Sequence, residues 1–271
     1  MTLTELVFRL EAAGVVNASF EAEMIAEKFC GLARSKIPFS RNEELSGEGF
    51  TDAVCRRENG EPLQYIIGEW DFMNETYEVS PAVLIPRQDT ETLVEWAINF
   101  APKGAAFADL GTGSGCIAIS LLAARRDLHG VALDVSEEAL DVARRNAEKN
   151  GVSNRIEFIQ GDILCGDGLS GKFDIILSNP PYVSAEEYAL LERELYFEPK
   201  RALTDGGDGL TFYRAIVEKY KKNLKDGGVF AFEIGASQAK DVSSVANGAG
   251  FDAEILKDLA GHDRAAILKK R

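Results

Sequence analysis

Histidine is nearly missing from this 271-residue chain: His129 and His262 are the whole supply. An imidazole base, the usual choice near neutral pH, therefore has only two possible sources. His129 opens a strand after a helix and His262 lies in a late loop, so both are expected to be surface or structural. Cysteine is sparse as well. Cys30, Cys55, Cys116 and Cys165 are scattered without paired spacing. That argues against a zinc site or a disulfide framework and fits a reducing compartment. No metal is expected. No apolar run is long enough to cross a membrane, and Met1-Thr2-Leu3-Thr4-Glu5 lacks a signal-peptide pattern. Cytoplasm is the expected compartment, with no membrane partner. Positive charge is in deficit, with a net charge of -14. Tight, non-specific binding to phosphate backbones is disfavoured, so no direct nucleic-acid partner is expected. Internal repeats and low-complexity tracts are absent.

What is present is ordinary for a globular chain: 45% apolar and 27% charged residues. The length allows one large domain or two smaller ones, with ample core for either. Residues 1–60 read as a small helical bundle. Thr4 caps a first helix with Leu6, Val7, Leu10 and Ala13 on one face, stopped by Gly14. Ala22, Ile25, Ala26, Phe29 and Leu32 mark a second helix at helical spacing, and Phe50, Ala53 and Val54 a third. From Glu61-Pro62 the texture changes. Leu63 to Gly68 and Glu69 to Phe72 look extended, and Met73-Asn74 turns the chain into Thr76 to Val79. A β-hairpin linker over residues 61–80 is expected. Asp89 or Thr90 then caps a helix through Leu93, Val94, Ala97 and Ile98. Arg87, in the loop before it, is either a surface cation or a contact to an anionic ligand or Glu233.

From Ala105 strands and helices alternate. Strands are expected at Ala106–Leu110, Gly130–Asp134, Ile156–Gln160, Phe173–Leu177, Gly228–Ile234, Ala253–Lys257 and Ala265–Leu268. This βαβ order predicts an α/β fold, a mostly parallel seven-stranded sheet covered on both faces, over residues 81–271. Ligands of such sheets bind at the carboxyl ends of the strands.

Those ends carry the chemistry. Phe173 to Leu177 is a buried strand, and Ser178-Asn179-Pro180-Pro181-Tyr182 closes it. Asn179 precedes a proline and is pushed to extended geometry. Pro180 and Pro181 have fixed φ and no N–H, so the strand ends in a stiff shelf. The shelf offers the Asn179 amide oxygen, the Pro180 carbonyl and the flat ring of Tyr182. Two acceptors and a ring suit a planar group bearing an NH2.

Asp109-Leu110-Gly111-Thr112-Gly113-Ser114-Gly115 closes the first strand of the sheet, and Asp134 closes the second, roughly 20 residues after the glycines. An acidic residue there accepts hydrogen bonds from ribose hydroxyls. The pattern is G-x-G-x-G, where a dinucleotide fingerprint would be G-x-G-x-x-G. Asp109 would repel a phosphate but can receive a cationic amine, directly or through water. A nucleoside bearing an amino acid fits better than NAD, and S-adenosylmethionine is such a molecule.

Asp109 to Gly115 with Ser178 to Tyr182 resembles the class I S-adenosylmethionine-dependent methyltransferases that modify planar nitrogens. More narrowly, the chain resembles the peptide chain release factor glutamine methyltransferases, the PrmC/HemK family. Further matches are Glu61-Pro62-Leu63-Gln64-Tyr65-Ile66, Leu84-Ile85-Pro86-Arg87, Glu198-Pro199 with Ala202-Leu203, Gly206 to Leu210, and Glu233-Ile234-Gly235. The resemblance implies a Rossmann-like methyltransferase domain behind an N-terminal substrate-recognition domain. It implies methylation of the side-chain nitrogen, N(5), of the glutamine in the Gly-Gly-Gln motif of class I release factors, by a monomer. It implies cofactor contacts by Gly111, Thr112, Gly113, Ser114, Gly115, Asp134 and Asn179, with acceptor contacts by Asn179, Pro180, Pro181 and Tyr182. Asn179, Pro180 and Tyr182 would carry catalysis. Gln88 stands where the family usually has proline. Ile163 stands where many relatives place an aromatic beside the adenine, and an aliphatic can pack there.

An amide nitrogen is a poor nucleophile, and no strong base is evident. Catalysis must then come from orientation and polarisation. An adenine exocyclic amine is also planar, so DNA adenine-N(6) methylation is the main alternative. The negative charge and the lack of a basic, base-reading insertion stand against it. A non-enzymatic nucleoside-binding protein is disfavoured by the intact shelf, and an NAD-dependent oxidoreductase by the glycine spacing.

Overall fold

Two compact units make up the computed structural model, which describes residues 1–271. The first comprises Met1–Glu69 together with Glu192–Phe197, and the second Trp70–Leu191 with Glu198–Arg271.

The first unit is helical. Its elements are α1 (Leu3–Ala12), α2 (Ala18–Cys30), α3 (Phe50–Glu58) and α4 (Leu63–Ile67). Leu3, Leu6 and Leu10 of α1 meet Ala22, Ile25 and Ala26 of α2 and Ala53 and Val54 of α3 in a common buried interior. Thr2, rather than Thr4, caps α1 in a reciprocal box with Glu5. The Thr4 hydroxyl is drawn instead to the Arg41 carbonyl at 3.1 Å. Buried Arg57 is paired with Glu21 and, at 3.3 Å, with Glu194. Leu63–Ile67 is a helical turn where an extended segment was expected. Pro62 precedes it and Gly68 closes it at φ 82. A short apolar run carries no period that separates strand from helix, and here four of its five side chains are buried.

The hairpin strands are β1 (Glu69–Phe72) and β2 (Glu75–Glu78), with Met73 at φ 55 in the turn. The second unit continues with α5 (Gln88–Phe100), β3 (Ala106–Leu110), α6 (Cys116–Ala124), β4 (His129–Asp134), α7 (Glu137–Lys149), β5 (Ile156–Gln160) and β6 (Phe173–Ser178). Then come α8 (Ala185–Tyr188), α9 (Lys200–Leu203), α10 (Thr211–Tyr220), β7 (Leu224–Glu233), α11 (Ala239–Gly248), β8 (Phe251–Lys257) and β9 (Asp263–Lys270).

Seven strands form one sheet in the order β5-β4-β3-β6-β7-β9-β8, parallel except for β9. The chain moves outward from β3 to β4 and β5, then restarts at β6 and moves the other way. The crevice between the ends of β3 and β6 is therefore the topological switch point.

Strand parity decides what lies on each face. Phe107, Ile175, Leu177, Val229, Ala231 and Ile267 pack with Leu93, Val94 and Ala97 of α5 and Ile119 and Leu122 of α6. Ala106, Ala108, Leu110, Ile176, Phe230 and Phe232 face the other way, onto Tyr213, Ile216 and Val217 of α10 and Val242 of α11. Asp109 and Glu233 share the parity of the first set. Two residues past Leu177, so does Asn179. One face of the sheet thus collects three polar side chains at adjacent strand ends, under the N-terminus of α5.

Candidate active site

A cavity of about 350 Å³ opens at this switch point, within the range of small-molecule sites. Gly111, Thr112, Gly113, Ser114, Asp134, Ile163, Asn179 and Pro181 line it, together with Val83 to Arg87, Thr90 and Phe212. Asp109, Gly115, Pro180 and Tyr182 adjoin these residues without lining the cavity themselves.

The glycine loop spends its own N–H groups inward. Gly111 and Thr112 donate to the Leu133 carbonyl at 2.7 and 3.0 Å, and Gly115 donates to Thr112 at 2.8 Å. The Gly113 N–H donates to Asp134 Oδ2 at 2.9 Å, and the Ser136 N–H to Asp134 Oδ1 at 3.0 Å. Loop amides committed in this way are not free to cradle a pyrophosphate. Each Asp134 oxygen keeps a further lone pair for a hydroxyl. Gly115 turns the chain into α6 at φ +83, and a Cβ there would lie 2.7 Å from the Ile119 Cδ1. Only glycine meets both demands.

Asp109 is fully buried beneath this loop. Its Oδ2 accepts the Thr112 hydroxyl at 2.7 Å, and its Oδ1 has no partner. Burial pushes its carboxyl up from 3.8 to about 7, with the nearby Asp134 charge adding to the rise and the Thr112 hydroxyl opposing it. Ile163, buried, faces the cavity beside Gly111.

On the opposite wall stands the shelf. Asn179 is half-buried, and its Nδ2 donates to Thr90 Oγ1 at 3.3 Å. The Asn179 oxygen is therefore the free end of the amide. The Pro180 carbonyl takes no backbone hydrogen bond. Tyr182 points its hydroxyl inward to Glu233 Oε1 at 3.1 Å, while its own carbonyl accepts from Gln238 Nε2 at 3.0 Å. Glu233 is buried and its Oε2 has no partner. Burial raises its carboxyl from 4.5 to about 7, against the lowering effect of the Thr90 and Tyr182 hydroxyls and of Arg264. Desolvation also holds the Tyr182 phenol well above its ordinary range.

Neither Asp89 nor Thr90 is the N-cap of α5: that position is Arg87, which makes no side-chain capping bond, and Thr90 turns inward with 2% exposure. Its spacing to Leu93, Val94 and Ala97 puts it on the buried stripe of the helix, a signal already present in the sequence. Arg87 is neither a free surface cation nor a partner of Glu233. It pairs with Glu198, whose other oxygen accepts the Ile85 N–H at 3.0 Å. Glu198-Pro199 thereby fastens the Ile85-Pro86-Arg87 wall of the cavity. Neither histidine lines the cavity. His129 is exposed at a strand start, and His262 lies in a turn with its Nδ1 3.7 Å from Asp258.

The fold and the chain have known counterparts. Residues 89–233 match the family described as Methyltransferase small domain, and residues 2–68 match the PrmC N-terminal domain. The release factor glutamine methyltransferase of Nitratidesulfovibrio vulgaris is 41% identical over 270 residues, covering 97% of this chain and 92% of that protein. The protein of the same name from Moorella thermoacetica is 39% identical over 277 residues, covering 99% of this chain and 97% of that one. The crystal structure of a methyltransferase from Pyrococcus furiosus superposes with a TM-score of 0.54 at 21% identity, over 71% of this chain and 87% of that one. That likeness speaks for the fold alone.

Proposed function

Because this chain belongs to the release factor glutamine methyltransferase family, we propose that it methylates the side-chain amide nitrogen, N(5), of the glutamine in the Gly-Gly-Gln motif of class I release factors. S-adenosylmethionine is the methyl donor in this reading. The observation that carries it is the orientation of the Asn179 amide. Its NH2 is engaged by Thr90, so an acceptor oxygen is left at the cavity wall, across from Asp134.

The residues fit that donor. Asp134, already held by two backbone N–H groups, accepts the ribose hydroxyls. Ile163 packs against the adenine. The buried Asp109 attracts the amino group electrostatically, and its Oδ1 has no other partner. When bound, the donor supplies a methyl group made electrophilic by sulfonium charge.

The chain does the remainder by placement. The Asn179 oxygen and the Pro180 carbonyl accept the two N–H bonds of the glutamine amide. Positive charge grows on that nitrogen as the new bond forms, so both acceptors act more strongly in the transition state than in the ground state. No imidazole lines the cavity, and none is required. The surplus proton leaves late, to water. The Tyr182 ring stiffens the far end of the shelf through its bond to Glu233. The helical unit grips the body of the release factor, a task that a free small acceptor would not need.

Labelled methyl transfer tests the proposal. Wild-type release factor should take up label, while its Gln→Ala variant and unmethylated DNA should not. Label on DNA alone would overturn it. The net charge of -14 stands against that outcome.

A further inference from the structure

A cation in the cavity wall has no partner. Pro199, Arg201 and Ala202 line the cavity from a segment that is fastened at both ends. At its start, Glu198 accepts the Ile85 N–H at 3.0 Å and pairs with Arg87. At its end, the Leu203 carbonyl accepts the Val183 N–H at 3.0 Å, and the Gly207 carbonyl accepts the Ala185 N–H at 2.9 Å. Val183 directly follows Tyr182, so this segment runs beside the chain that leaves the shelf. The same segment lines an open groove of about 520 Å³, formed by Pro199, Lys200, Arg201, Thr204, Asp205 and Gly206. Pro199 and Arg201 belong to both linings. Arg201 therefore stands at the doorway between groove and cavity.

The neighbouring charges are committed elsewhere. Arg87 pairs with Glu198, and Lys200 Nζ lies 4.9 Å from the centre of the Tyr188 ring. Asp205 is turned into its own loop, where it accepts the N–H groups of Gly207, Gly209 and Thr211 at 2.8, 3.1 and 3.0 Å. Arg201 is exposed and makes no ion pair and no side-chain hydrogen bond, although the chain carries 44 acidic residues against 30 basic ones. Its N–H donors are uncommitted at the mouth.

We propose that the groove holds the main chain of the release factor around its target glutamine, and that Arg201 donates to a backbone carbonyl there while the glutamine side chain enters the cavity. This inference rests on the proposed function and deepens it. In a Gly-Gly-Gln segment the glutamine side chain is spent on the reaction, and the glycines offer none. Any further reading of the motif must use backbone groups. A guanidinium gives carbonyl oxygens charge-assisted bonds from a rigid fork. Pro199 has no N–H to compete for them, and its fixed φ stiffens the rim. Because the segment is tied at Glu198, Leu203 and Gly207, binding need not order the backbone that carries Arg201. The contact forms before the methyl moves and persists while it moves, so it contributes to binding of the release factor and not to the chemical step.

Arg201→Ala and Arg201→Lys test this in full-length enzyme, with whole release factor and a short Gly-Gly-Gln peptide as methyl acceptors. Arg144→Ala removes an exposed cation of α7, paired with Glu137, and controls for net charge. Arg201→Ala should raise KM for the release factor by on the order of tenfold and lower kcat/KM for the peptide by a similar factor. The kcat at saturation and the S-adenosylmethionine affinity by calorimetry should stay within about threefold of wild type. Arg201→Lys should recover only part of the loss, because an ammonium keeps the charge without the fork. Arg144→Ala should show none of it. A folded Arg201→Ala with wild-type KM would overturn the inference. So would a loss of S-adenosylmethionine affinity, which would place the guanidinium on the donor's carboxylate. An equal loss in Arg144→Ala would overturn it by reducing the effect to net charge. A loss on the release factor that spares the peptide would overturn it by moving the contact to the body of that protein. Wild-type enzyme that labels no release factor would instead remove the function on which the inference stands.

Discussion

The two walls of the cavity are held in opposite ways. On the glycine-loop wall the ties made by the loop's own N–H groups are short in sequence: Gly111 and Thr112 bind the Leu133 carbonyl, and Gly113 binds Asp134, 21 residues away. Most donors there are backbone N–H groups, so the wall survives many side-chain changes. The shelf wall is tied by side chains over long separations, Asn179 to Thr90 across 89 residues and Tyr182 to Glu233 across 51. Binding a nucleoside needs a fixed cradle, which backbone supplies. Polarising an amide needs a directed acceptor, which side chains supply.

Substitutions should therefore sort by wall. Asp134→Ala should show the largest binding effect, a loss of about 1.5–3 kcal/mol in S-adenosylmethionine affinity, with little change in kcat at saturation. Calorimetry that finds wild-type affinity would detach Asp134 from the cofactor. Next in size, deleting residues 1–60 should raise KM for a whole release factor on the order of tenfold, while activity on a short Gly-Gly-Gln peptide changes less. Equal losses on both would reduce the bundle to a stabilising role, once circular dichroism has shown that the truncated form is folded. A subtler effect follows from pH. Glu233 and Asp109 both titrate near 7 in the folded chain, above their ordinary 4.5 and 3.8. Their contribution to stability is fully present below those ordinary values and is lost as pH rises through about 7. The Tm of Glu233→Gln relative to wild type should accordingly rise between pH 5 and about 8. A flat difference would mean that Glu233 is ionised throughout. The smallest effect is expected of Ile163→Val: about 0.5–1.5 kcal/mol of stability, and less than a threefold change in cofactor affinity. A larger loss of affinity would make Ile163 the chief contact of the adenine.

The same contrast governs what the sequence made legible. Gly111 to Ser114, Asp134, Asn179 and Pro181, which line one cavity, could be picked out because local rules suffice: glycines at a strand–helix turn, an acid at the next strand end, two prolines that stiffen a shelf. The seven strands and their mostly parallel sheet were readable from apolar runs alternating with helices. Asp89 and Thr90 both satisfy the capping rule near a helix start, and a threonine there satisfies burial equally well. Its register with Leu93, Val94 and Ala97 was the clue that favoured burial. Glu233 sits in the inward parity of Val229 and Ala231, but a carboxylate at a strand end says nothing of a partner 51 residues away. Arg87 hid its partner for the same reason, since Glu198 is 111 residues distant. Leu63 to Ile67 misled because five residues, four of them apolar, are too few to show a period.

In the proposed reaction the shelf acts on the transition state and the glycine loop on binding. Single-turnover methyl transfer by Asn179→Ala, with enzyme saturated by S-adenosylmethionine and release factor, separates the two. The rate should fall by on the order of a hundredfold or more, with both dissociation constants within about threefold of wild type. A wild-type rate at saturation, with the loss confined to the dissociation constants, would make Asn179 a binding group and contradict the account.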